Sequence, residues 1–147
     1  MQKYDPMLDP DPEQWELLDE AERVDLVIGY HQETGIEIPN ADSHAVLHVA
    51  VENQIALGAE TPVEAAFRRL LDENLDRHDA IHAIASVLVN YMFELMHRKD
   101  GAQGNEAYYA EIEKLTAEKW LRGEYSEETD GSRERYLDCD PGADRRD

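Results

Sequence analysis

Residues 77–97 read RHDAIHAIASVLVNYMFELMH, and this stretch decides the fold. Ile81, Ile84, Val87, Leu88, Met92 and Leu95 recur at three- and four-residue spacing, the period of a helix with a face in a core. No other segment of the chain is as apolar, so this helix is expected at the centre of the molecule. Asp76 stands just before it as a restart of the chain. Within it, His78 and His82 lie four residues apart, and on a helix positions i and i+4 share a face.

The same pairing occurs upstream in residues 41–58, ADSHAVLHVAVENQIALG, where His44 and His48 are four apart. Asp42 or Ser43 is suited to cap this helix, and Gly58 to end it after about Leu57. Between the two histidine segments, Thr61-Pro62-Val63-Glu64 combines a cap, a first-turn proline and a helpful glutamate. It opens a helix to about residue 75 carrying Val63, Phe67, Leu70 and Leu71.

Further towards the N-terminus, Asp11-Pro12-Glu13-Gln14 begins a short helix with Trp15, Leu17 and Leu18. Asp19 and Glu22 form a second capping pair, opening a helix to about Thr34 that stops before Gly35. Residues 36–43 are read as a connector. Towards the C-terminus, residues 100–104 are a turn, and Asn105 is suited to cap a last helix over 106–121, with Tyr108, Tyr109, Ile112, Leu115 and Trp120. Helix follows helix with short connections, so the expected fold is all-α: a bundle of about five helices. The expected organisation is an extended N-terminal segment at 1–10, a helical domain at 11–122 and an acidic, disordered tail at 123–147.

The chain carries 34 acidic against 14 basic residues, a formal charge of −20. Such a surface repels nucleic acid and anionic membranes, which excludes direct nucleic-acid binding. It leaves room for a non-enzymatic acidic adaptor that binds a protein partner, or a nucleic-acid mimic. Cys139, in the polar tail, is the single cysteine, so no intramolecular disulfide and no cysteine metal cluster can form. With no apolar leader-like stretch at residues 1–14 and no run of about 18 apolar residues, neither a signal peptide nor a membrane span is expected. A cytoplasmic location follows as the expectation.

The chemistry lies in the histidines. If the two paired helices are neighbours, His44, His48, His78 and His82 converge. Four imidazoles make a site for a borderline metal ion such as zinc or iron. Glu52, four residues beyond His48, is either a further ligand or a partner that fixes an imidazole. The competing readings are a hydrogen-bonded polar network and plain surface histidines. His31 and His97 stand near helix ends, where a cation meets the helix dipole favourably; His31 is also a candidate to approach the cluster. Arg77 reads as a surface arginine, with contact to a carboxylate or a bound anion as the alternative.

HAVLHVAVENQ and RHDAIHAIASVL, at their spacing, resemble the uncharacterised bacterial family catalogued as domain of unknown function 1841. The resemblance runs from Asn40 to about Leu95, with His44, His48, Gln54, His78 and His82 as matching positions. It implies a small helical protein and no particular activity. His48, Glu52, His78 and His82 also partly echo hemerythrin-like di-iron bundles, for which His31 is a candidate further ligand. That pattern wants a histidine and an acid on the last helix, and 106–121 contains no histidine. A fainter echo of HD phosphohydrolases, in the doublet His78-Asp79, lacks a later aspartate ligand.

Overall fold

The computed structural model describes residues 1–35, 40–97 and 105–125. Among these there are seven α-helices and no strand: α1 (Pro12–Leu17), α2 (Glu20–Glu33), α3 (Ala41–Ala56), α4 (Val63–Asp72), α5 (Arg77–His97), α6 (Glu106–Lys114) and α7 (Ala117–Leu121). The all-α bundle stands: α1 to α5 are at the expected places, and the last expected helix is divided into α6 and α7. Residues 126–147 of the acidic tail expected at 123–147, the turn at 100–104 and residues 36–39 of the connector lie outside the described residues.

Most helix ends follow local chemistry. Asp11 accepts from the Gln14 N–H, and Asp19 and Glu22 form a reciprocal capping box. Asp76 accepts from the Asp79 N–H at 2.8 Å, which starts α5. α2 and α3 end two residues before Gly35 and Gly58, whose φ angles of +71° and +60° close the helices in the left-handed region. Asn74, with φ +76°, does the same for α4, and the Leu75 N–H reaches back to the Leu70 carbonyl.

Two expected boundaries are corrected. α3 starts two to three residues early, after Asn40, with no side-chain cap from Asp42 or Ser43. The single helix expected over 106–121 breaks at Leu115 and Thr116. Leu115 turns extended and is fully buried, and Thr116 caps a new helix by accepting from the Lys119 N–H. The Ala117 N–H meets Glu73, and the Leu115 carbonyl accepts from Arg69, so α4 takes over the polar groups that the break exposes.

α5 packs against α3, α4, α6 and α7, which places it at the centre as its apolar run requires. Two hydrophobic clusters result. The larger contains Phe67, Leu70, Ile81, Ile84, Ile112 and Leu115, and the smaller contains Tyr4, Trp15, Val27, Ala45 and Val49. α3 separates them. Its Leu47, Val51 and Ile55 enter the first cluster, and its Ala45 and Val49 enter the second. The stripe left between these two faces is His44, His48 and Glu52, all at four-residue spacing and all buried.

Candidate metal centre

Two helices bring the four expected histidines together, and a third helix adds one more. His44 and His48 on α3, His78 and His82 on α5, and His31 on α2 are all buried, none more than 4% exposed. The ring centroids of neighbouring imidazoles lie 4.3–6.1 Å apart. His48 is the hub, with each of the other four rings within 5.2 Å of its own. Two groups have geometry that could hold a metal ion, His31–His48–His78 and His44–His48–His82, with their donor atoms within 4.8 Å of one another. Both contain His48.

The hydrogen bonds fix where several protons sit. The His31 Nδ1–H donates to the Val27 carbonyl at 2.9 Å, because a carbonyl can only accept. Its Nε2 is therefore a bare lone pair, and it is the buried side-chain nitrogen without a hydrogen-bond partner among the described residues. Tyr4 donates its hydroxyl proton to Glu52 Oε2 at 2.6 Å. The 3.3 Å contact between Tyr4 and His48 Nδ1 then needs the proton on the histidine. His48 is left with a bare Nε2, which lies 3.1 Å from His82 Nε2.

Burial disfavours charge on three of the rings. His48 and His82 titrate well below the usual imidazole range, first through desolvation and then through repulsion from neighbouring imidazoles. His31 is also lowered by burial, against the opposing pull of the Val27 carbonyl. Neutral imidazole is the form that ligates metals.

Glu52 reaches the cluster indirectly. It belongs to neither histidine group, and its two oxygens accept from Arg77 at 2.7 and 2.8 Å as well as from Tyr4. Arg77 is not a surface arginine. It is 6% exposed and donates also to the Pro6 carbonyl and to Asp9, both at 3.0 Å. This pins residues 4–9 over the cluster. Burial and the adjoining Glu52 carboxylate push the Tyr4 hydroxyl well above its usual range.

The remaining candidates fall elsewhere. His97 is exposed and bonds the Phe93 carbonyl within its own helix. Gln54 accepts from the Tyr108 hydroxyl and so docks α6 on α3. Tyr4 had no signal in its own Asp/Pro-rich surroundings. His31 had a weak one: it lies four residues after Val27 on the buried face of its helix.

A family model described as a domain of unknown function (DUF1841) matches residues 2–114. The chain belongs to this family. The DUF1841 match extends well beyond residues 40–95 and takes in Tyr4, His31, Arg77 and α6 as well as the paired histidines. No curated protein and no solved structure matches the chain. The hemerythrin echo thus has no support, and Glu52, the carboxylate it would use, is held by Arg77. No helix among the described residues is long and apolar enough to cross a membrane.

Proposed function

We propose that this DUF1841 protein binds a metal ion, zinc or iron, through a buried centre drawn from His31, His44, His48, His78 and His82. One observation carries the reading. His31 Nε2 is buried, bare and unpartnered, while its other ring nitrogen is held by a backbone carbonyl. Leaving a buried polar atom unsatisfied costs about 1–3 kcal/mol. A ligand imidazole anchored by a carbonyl through its second nitrogen is the usual arrangement around a protein-bound metal.

The donor spacing agrees. His48 Nε2 and His82 Nε2 are 3.1 Å apart. Tetrahedral zinc with Zn–N bonds of about 2.0–2.1 Å has ligand edges of roughly 3.3 Å. In the metal-free chain a proton on His82 fills the gap between these nitrogens, and a cation would take its place. Since His48 turns Nδ1 to Tyr4 and offers only Nε2, the two groups that share it describe alternative triads of one centre, not two independent ions.

Elemental analysis of the full chain, purified without a polyhistidine tag and reloaded after stripping, tests this. About one zinc or iron per chain is expected, falling sharply in His48→Ala and His31→Ala. Metal content near zero in the wild type, or unchanged in both variants, overturns the reading.

A further inference from the structure

We infer that Arg77 sets the metal preference of the centre by withholding Glu52 from it, which leaves an all-imidazole ligand set that takes zinc-like ions and refuses oxygen-preferring ones such as manganese. The inference rests on the metal-binding reading and sharpens it to an ion that prefers nitrogen over oxygen ligands.

Glu52 is placed to reach the cluster. It follows His48 by one helical turn, on the same buried stripe of α3. By sequence it is a natural carboxylate ligand. By structure both of its oxygens are committed. Arg77 grips it with two parallel N–H donors at 2.7 and 2.8 Å, and the side chains are 6% and 1% exposed. A buried bidentate arginine–carboxylate pair is strong and directional, and removing one partner strands the other charge. Tyr4 adds a third bond to the carboxylate, at 2.6 Å, and passes its influence on to His48 Nδ1.

Arg77 is held in turn. Asp9 and the Pro6 carbonyl take two further donors, and its guanidinium lies 5.1 Å from the Phe67 ring centre. Beside the pair a cleft of about 310 Å³, lined also by Asp9, Glu64 and Arg68, opens to solvent. The arginine therefore cannot leave Glu52 without breaking contacts on several sides. What remains for an ion is nitrogen. Imidazole suits zinc, copper, nickel and iron, whereas carboxylate and water suit manganese, magnesium and calcium. Iron sites that activate oxygen generally include a carboxylate, and here it is engaged.

Arg77 is thus a positioning residue that acts through Glu52, and the test reads metal preference instead of stability. The zinc and manganese affinities of the full chain are compared in the wild type, Arg77→Met and Arg77→Met/Glu52→Gln. Arg77→Met is expected to narrow the zinc-over-manganese gap by about tenfold or more, within the range by which residues behind the ligands tune metal sites. The double variant should restore it. An unchanged gap in a folded Arg77→Met protein overturns the inference and leaves the metal reading standing. A wild type that binds iron but not zinc overturns the inference alone, and one that binds neither overturns both.

If Arg77→Met fails to fold, infrared difference spectra of the wild type decide. Zinc loading should perturb imidazole modes and leave the carboxylate stretches unmoved. A zinc-dependent carboxylate band that disappears in Glu52→Gln overturns the inference.

Discussion

The two sides of α3 are built on different physics. On one side Phe67, Leu70, Ile81, Ile84, Ile112 and Leu115 pack into an apolar core. Such a core is non-directional, and hydrophobic residues of about the right size serve it. On the stripe beside it, His44, His48 and Glu52 meet His31, His78, His82, Arg77 and Tyr4 in a buried polar layer. There every nitrogen and oxygen needs a partner in a given direction, and an incomplete set is costly. The apolar side stabilises the fold through area. The polar layer lowers stability wherever it is incomplete, as at His31.

Substitutions on the two sides should therefore separate. The largest effect is expected for Arg77→Ala. Removing it leaves Glu52 as an uncompensated buried charge, a loss of about 3–5 kcal/mol, read as the shift of the urea unfolding midpoint. A loss below about 1 kcal/mol, the level of an exposed ion pair, would mean that Glu52 is not confined as described. Next comes Ile112→Ala, on the far side of the core. It should cost about 2–5 kcal/mol through the cavity it leaves while metal stoichiometry stays unchanged. Loss of metal in the folded variant would show that the two sides are not separable.

Acid should act on the polar layer alone. The folded pKa values of His31, His48 and His82 lie below the ordinary imidazole value of 6.5. Below that value the unfolded chain takes up protons before the folded one. Stability of the metal-free protein is thus complete above about pH 6.5 and falls as the pH drops towards the depressed values. A urea midpoint flat between pH 7.5 and about 5 would contradict the burial of these rings as neutral groups. In a variant with His48 and His82 both replaced by leucine, the slope should flatten.

The smallest effect carries the opposite sign. His31→Leu removes an unsatisfied buried nitrogen, so the metal-free protein should gain about 1 kcal/mol. It should also lose part of the stabilisation that excess metal gives to the wild type, about 2.7 kcal/mol at a hundredfold excess over the dissociation constant. Thermal melts with and without zinc check both. A destabilised metal-free His31→Leu would mean that the His31–Val27 bond outweighs the stranded nitrogen.

The comparison also explains what could be read in advance. The apolar side is written in periodicity, so α4 and α5 and their core residues were visible in Val63, Phe67, Leu70, Ile81 and Ile84. The paired histidines were visible for the same reason: four-residue spacing fixes a shared face. The break in the last helix was not, because Leu115 and Thr116 are compatible with helix and it is Glu73 and Arg69 that stabilise the alternative. Tyr4, His31 and Arg77 were missed or undervalued for a related reason. Their roles depend on partners tens of residues away, and no local pattern encodes a bond between Arg77 and Glu52.

Those separations bear on how the chain comes together. Tyr4 meets Glu52 across 48 positions, and Arg77 meets Asp9 and the Pro6 carbonyl across 68 and 71. Most contacts within a helical bundle are local and form quickly, whereas distant ones must first overcome the entropy of closing a long loop. Residues 4–9 are made before Arg77, so during synthesis their bonds to it wait until the beginning of α5 has followed.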